Sequence, residues 1–480
     1  MHPITSAAAA FAAAVTIAAT AGAQTADPAL EARLRLADAW LERQMLEELI
    51  PGASIALVRG QALIWSAGYG YADREGAVPA TPQTAYSVCS ISKLFTSVAV
   101  MTLVEDGRMD LDAPLAEYVP ELDLPAAGDV IAEPITVRGA LSHAAGLPRE
   151  GATPYWVEVD FPDRDTLLEG LSQQARLYTP FDTWQYSNLG MSLLGEAVER
   201  VSGEAYDSYV RGAVLEPLGL DAVTTDLPMN ADGGRFAAGY WMHDAEGGRE
   251  RVAPYTLNAV APAAGFAASV SDLARFASWQ FALLDSGDGP VLDRAALREM
   301  HRVQWADPND PDSPMWGLGF QHSRLDGDAV LGHGGYCPGY RADFRMRLPD
   351  RIAVAAMVNA NDISPAMLSE GVYAITKAAL TAEDPPAELA FAEYEGVFGR
   401  ARTDRHVYAL PTADSLMLVS LFSDDPMQGA TRLEHVEGDV FRRKREEGGL
   451  GETIRFERDS EGRITRMWRH GNYMERLDDA

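Results

Sequence analysis

Ser90-Ile91-Ser92-Lys93 stands at the head of an apolar stretch that reads as a helix from near Ser90 to about Glu105, ended by Asp106-Gly107. A serine and a lysine three residues apart share one helical face, so the amine can reach the hydroxyl. A serine in the first turn also sets its oxygen and backbone N–H at the positive end of the helix dipole, where an oxyanion is stabilised. Serine alone is a weak nucleophile near neutral pH, so a nearby base is a chemical requirement. The same tetrapeptide, taken alone, also suits a capping serine followed by a surface lysine. What sets Lys93 apart is scarcity: of 40 basic residues only Lys93, Lys377 and Lys444 are lysines. A lysine kept where arginine is the habit suits an amine that must lose its proton.

Two further motifs carry chemistry only in combination with the first. Tyr186-Ser187-Asn188 precedes a helical run; a tyrosine beside cations can shuttle protons, and an asparagine can bond both a lysine and a substrate amide. Its plain alternative is an aromatic turn with a helix cap. His333-Gly334-Gly335 ends a β run, where glycines let a substrate backbone lie along the strand and a backbone N–H just beyond can complete an oxyanion hole. Here the plain alternative is a turn with a surface histidine.

Outward from these motifs the chain alternates in texture. Asp27 and Pro28 start an amphipathic helix through Leu30, Leu34, Ala37, Leu41 and Met45. Ala53–Val58 and Ala62–Tyr71 read as a hairpin about Arg59-Gly60-Gln61. Loops and helices fill residues 110 to 260, with helices near 164–174, 189–201 and 205–214, and Ser271-Asp272 reads as the cap of a helix to about Leu284. Short β runs follow at 317–323, 329–333, 339–348 and 352–358, then a helix over 365–380. Strands at both ends with helices between predict an α+β fold, one antiparallel sheet assembled from both ends around an inserted helical subdomain. Glu383 to Ala387 reads as a linker. Beyond it, runs at 407–410, 416–421, 439–443, 452–458 and 463–469 predict a separate small all-β barrel or sandwich.

The 480 residues carry 40 basic against 70 acidic side chains, a net charge of −30, with 47% hydrophobic residues. Such a chain can bury real cores and repels phosphate backbones and anionic lipid, which excludes nucleic acid as a main partner. Residues 4–21 are small and apolar, and Ala21-Gly22-Ala23 fits a signal-peptidase site, so residues 1–23 read as a secretory leader cleaved after Ala23, leading to a periplasm or the cell exterior. Alanine is a poor membrane residue, which disfavours an anchor, and no stable membrane insertion is expected. Two cysteines allow at most one bridge, and the nine histidines show no metal-ligand spacing, so neither metal nor cofactor is expected.

The trio S-x-x-K, Y-x-N and H-x-G, in that order, resembles the serine hydrolases of the penicillin-binding-protein and class C β-lactamase superfamily. Gly107–Asp112, Leu141-Ser142-His143-Ala144-Ala145-Gly146-Leu147-Pro148 and Ser271–Phe276 match as well. The resemblance covers about residues 30–380 and implies a β-lactamase/transpeptidase-like hydrolase domain over 27–382. It implies that Ser90 is the acylated nucleophile, Lys93 its activator and Tyr186 the proton shuttle. Asn188 would position Lys93 and substrate, His333 would hold the place of the usual lysine of K-T-G, and the N–H groups of Ser90 and Tyr336, beyond Gly335, would form the oxyanion hole. Whether Lys93 or Tyr186 is the base stays open. H-x-G in place of K-T-G resembles D-aminopeptidases and related amidases and esterases, since a neutral histidine grips a carboxylate poorly. Residues 388–480, opening with Tyr394-Glu395-Gly396-Val397-Phe398, resemble the lipocalin-like domain some of these peptidases append. A disulfide between Cys89 and Cys337 is implied by a branch of class A β-lactamases that bridges the same motif-relative positions; two buried thiols are the alternative. The expected activity is acyl-enzyme hydrolysis of amides or esters of small peptides, with D-residues among them. A β-lactamase or D,D-carboxypeptidase is the enzymatic alternative, and a non-catalytic binder of a cell-wall fragment or apolar ligand the alternative of another class.

Overall fold

The computed structural model describes residues 27–477 apart from 129, 132, 229–234, 311, 312, 314 and 401–404; the expected leader, residues 1–23, lies outside the described residues. An eight-stranded sheet forms the frame, in the order Val78–Pro79, Ala62–Asp73, Gly52–Arg59, Ile352–Val358, Tyr340–Arg347, Asp328–Cys337, Gln321–Leu325, Met315–Trp316. Every neighbouring pair is antiparallel, and the central pairing joins the two ends of the segment, with Ala53 opposite Val358 and Arg59 opposite Ile352.

Alternation along Gly52–Arg59 divides the core. Ala53 and Ile55 pack with Leu36, Trp40, Leu368 and Val372 of the helices Pro28–Glu47 and Pro365–Leu380. Ala56 and Val58 turn the other way, into the larger core with Phe95 of Ser92–Glu105 and Phe276 of Val270–Ser286. The period of two thus puts one helical pair on each face. The inserted segment between the sheet's two halves supplies the helix Asn188–Ser202 and the short helices around it.

Three local expectations need correction. The helix Val270–Ser286 is capped by Ser269, whose hydroxyl accepts the Asp272 N–H while the Asp272 carboxylate accepts the Ser269 N–H, a reciprocal capping box. Ser271 instead donates to the Pro82 carbonyl. The expected strand over 317–323 is broken: Gly317 donates to Phe320, Leu318 to Met300 and Gly319, at φ +81°, to Leu141, so only Gln321–Leu325 joins the ladder. His333 does not end a strand; it is the sixth residue of the ten-residue Asp328–Cys337.

Eight strands between Gly396 and Arg476 form a closed barrel. Gly396–Gly399, Thr431–Glu437 and Asn472–Arg476 complete it beyond the five expected runs. They escape notice because the first has four residues and Thr431–Glu437 buries only Leu433. Phe398, Phe441, Phe456, Leu433 and Met467 fill the interior with Tyr394, whose ring stands 4.8 Å from Phe456 and 5.1 Å from Phe441. Tyr408, Leu410, Val419 and Leu421 face outward and cover the helix Pro28–Glu47 around Trp40. The Trp40 indole donates to the Ser423 carbonyl at 2.8 Å, and Arg35 meets Glu395 through two bonds of 2.8 Å.

Candidate active site

Ser90 sits in the short 3-10 turn Cys89–Ile91, from which the helix Ser92–Glu105 continues. Cys89, immediately before it, has φ +52°, a left-handed backbone that costs a non-glycine residue of order 1–3 kcal/mol. Two features hold it there. Cys89 is disulfide-bonded to Cys337 of the strand Asp328–Cys337, with Cα atoms 5.7 Å apart. The strand also presses on the turn at Gly335, where a Cβ would stand 2.3 Å from the Val88 carbonyl oxygen. Gly335 is therefore required by this close approach, before any substrate enters. The N–H groups of Ser90 and Tyr336, the expected oxyanion donors, belong to the two segments so joined. The Tyr336 side chain itself is 62% exposed beneath the Arg341 guanidinium.

Lys93 is fully buried, one turn along the helix from Ser90. Its Nζ lies 3.1 Å from Ser90 Oγ, 2.8 Å from Asn188 Oδ1 and 2.7 Å from the Ala263 carbonyl oxygen. Burial drives the amine well below the usual lysine range; Glu150 opposes that shift and Arg149 adds to it. Asn188 is placed by the start of the helix Asn188–Ser202, for which Ser187 is the cap.

Burial holds the Tyr186 phenol above the ordinary tyrosine range, a shift that the neighbouring Ser90 hydroxyl opposes. The Lys93 Nζ and the Arg149 guanidinium lie 4.8 and 4.9 Å from the centre of its ring. His143 fixes this segment from beneath. Its carbonyl accepts the Gln185 N–H and its Nδ1 accepts the Ser187 N–H, so both neighbours of Tyr186 are held by one residue. Its ring stands 4.3 Å from the Tyr186 ring. Because Nδ1 accepts, the imidazole is neutral, in keeping with burial and the nearby Lys93 pushing it well below the usual histidine range.

His333 faces the same centre, 6.1 Å from the Tyr186 ring, and Trp316 packs against both rings, 5.9 Å from Tyr186 and 5.4 Å from His333. Its Nδ1 is 2.5 Å from the Gly334 carbonyl, while Nε2 is buried without a partner. Burial first, then Lys93, push its pKa down to about 3, so the ring carries no charge near neutrality.

The structure thus brings Ser90, Lys93, Tyr186, Asn188 and His333 to one centre. The sequence reading assigned no role to Glu150, Arg149, His143 or the Ala263 carbonyl. His143 lies inside the Leu141–Pro148 stretch already singled out, and Arg149-Glu150 follow it directly; a charged pair next to a motif was the available signal. Ala263 acts through its backbone and leaves no signal in sequence. Among the described residues no cluster of three or more His, Cys, Asp or Glu could hold a metal ion.

An antiparallel sheet with a serine and a buried lysine at the helix start, a tyrosine opposite and a strand closing the cleft is the arrangement of a β-lactamase-like serine hydrolase fold. The chain belongs to the Beta-lactamase family, whose match runs over residues 37–374. Among curated relatives, Protein flp of Staphylococcus aureus is 28% identical over 181 residues, 38% of this chain and 36% of that protein, so the chain spans about a third of the length of this relative. Among solved structures, the octameric penicillin-binding protein homologue from Pyrococcus abyssi shares the fold, with a TM-score of 0.63 at 23% identity over 92% of this chain and 99% of that one. SurE, in a structure with D-Leu, is 26% identical over 93% of this chain and 100% of that one, with a TM-score of 0.55.

Proposed function

We propose that the protein is a secreted serine hydrolase that forms an acyl-enzyme at Ser90 and cleaves amide or ester bonds of small peptides, D-residues included. The observation that carries this reading is the set of partners around Lys93 Nζ. Asn188 Oδ1 and the Ala263 carbonyl can only accept, so they take two N–H bonds. A neutral amine has two N–H bonds and one lone pair, which leaves the lone pair for the Ser90 hydroxyl at 3.1 Å. Burial favours that neutral form for Lys93 and disfavours a phenolate at Tyr186. Lys93 is accordingly the base: it takes the Ser90 proton as Oγ bonds to the substrate carbonyl carbon. Tyr186 relays the proton to the leaving nitrogen or oxygen as the tetrahedral intermediate collapses, and water then releases the acyl group by the reverse relay. The Ser90 and Tyr336 N–H groups hold the oxyanion.

An uncharged His333 offers no cation for a substrate carboxylate, which favours amides and esters over the β-lactam and D,D-carboxypeptidase alternatives. The inclusion of D-residues takes support from the SurE structure with D-Leu. Secretion takes support from the apolar leader and from a disulfide, a bond of oxidising compartments. The apolar-ligand alternative is weakened by aromatic side chains filling the barrel interior. Hydrolysis of a panel of D- and L-amino-acid amides and p-nitrophenyl esters, with nitrocefin alongside, tests the reading. Amide or ester turnover lost by at least about 10³-fold in Ser90→Ala is expected, and equal turnover by the variant would overturn it.

A further inference from the structure

We propose that Glu150 is a positioning residue of this site: through Asn188 it fixes which end of the amide faces Lys93, and its charge sets the proton affinity of the catalytic amine. The inference rests on the acyl-enzyme reading above. Asn188 Nδ2 donates to Glu150 Oε1 at 2.7 Å, and the Tyr155 hydroxyl donates to Glu150 Oε2 at 2.7 Å. A carboxylate only accepts, so the Asn188 end turned toward Glu150 must be the NH2 group, and the carbonyl end is left for Lys93 Nζ at 2.8 Å. Without Glu150 the amide could turn over and present N–H bonds to an amine whose own N–H bonds it should accept. The Lys93 lone pair would then lose its aim at Ser90.

The charged and titratable groups around Lys93 are few: Glu150 and Arg149 from the loop before Tyr155, Tyr186, His143 and His333. Both histidines are held neutral and the phenol protonated, which leaves Glu150 as the anion facing Lys93 and Arg149 as the opposing cation. Arg149 also pairs with Glu150 at 3.3 Å. Glu150 thus limits how far burial depresses the lysine and keeps the amine able to hold the serine proton once taken.

With three lysines in the chain, NMR of the full protein labelled with 13Cε-lysine resolves Lys93 without any substrate. In Glu150→Gln, Lys93 is expected to titrate at least about half a pH unit lower than in the parent, since an anion has gone from a low-dielectric site. The acid limb of kcat/KM moves down with it, and Glu150→Ala loses about tenfold or more in kcat with little change in KM as the Asn188 amide is released. A Lys93 titration unmoved in both variants would overturn the inference. If Lys93 shifts but no variant and no parent enzyme hydrolyses any amide or ester, the Glu150 coupling stands and the acyl-enzyme reading fails.

Discussion

Cys89 and Cys337 are bonded across 248 residues of sequence, so the residue before Ser90 is fastened to the strand that carries His333. The bond links the two backbone segments that carry the proposed oxyanion donors, the N–H groups of Ser90 and Tyr336. A cross-link over so long a loop typically contributes about 2–5 kcal/mol. Cys89→Ser with Cys337→Ser should therefore lower stability by that order in urea denaturation. It should also slow acylation of Ser90 about tenfold or more with KM nearly unchanged, because the two donors are no longer held. Unaltered acylation by the double variant would show that packing at Gly335 suffices.

Lys93 should be irreplaceable by arginine. The guanidinium stays protonated at any working pH and cannot take the serine proton. Lys93→Arg is expected to lose at least about 10³-fold in kcat/KM across the whole profile. In the parent, activity falls on the acid side as the amine protonates, with a midpoint well below the ordinary lysine value of 10.5. Retention of activity within tenfold in Lys93→Arg would remove the lysine from the role of base.

Three buried histidines tie stability to pH. His143, His301 and His333 all have pKa values pushed below 6.5 by burial, the last two to about 3. The unfolded chain binds protons at these rings that the folded chain does not, so stability is full above pH 6.5 and falls as pH drops below it. The slope is up to about 1.4 kcal/mol per pH unit for each ring. Urea denaturation between pH 6.5 and 5, above most carboxylate titration, should show the loss. His322 is likewise lowered by burial, so His301→Gln, away from the catalytic centre against Gln280, should flatten the slope by about a quarter; an unchanged slope would point to other groups.

The barrel should be required for the stability of the hydrolase domain. Trp40 is fully buried between the helix Pro365–Leu380 and the barrel, and a Cβ on Gly371 would stand 2.1 Å from its ring. Gly371→Ala should cost about 1–3 kcal/mol by overpacking. A chain ending at residue 387 would expose the Trp40 face and is expected to aggregate or melt well below the full chain in a thermal scan. Equal melting temperatures would make the barrel an independent appendage.

Much of this architecture was legible in the residues. The strand Ile352–Val358 coincides with an unbroken apolar run, and the Arg59-Gly60-Gln61 turn does join two strands. What escaped was set by tertiary contact. Gly319 leaves the ladder to bond Leu141, and the barrel strand Thr431–Glu437 alternates too weakly to signal itself. At the site, S-x-x-K announced Ser90 and Lys93 because their spacing is intrinsic to a helix. Glu150 and His143 reach the same centre only through folding, and the Ala263 carbonyl has no side-chain signature at all.

The decisive measurement is intact mass followed by peptide mapping after incubation with a library of D- and L-amino-acid esters and amides. A covalent acyl adduct on the peptide carrying Ser90, absent from Ser90→Ala and accumulating in Tyr186→Phe as deacylation slows, is the expected result. Turnover of the same substrates with no adduct on Ser90 under any quench, or an adduct on another residue, would contradict the acyl-enzyme mechanism.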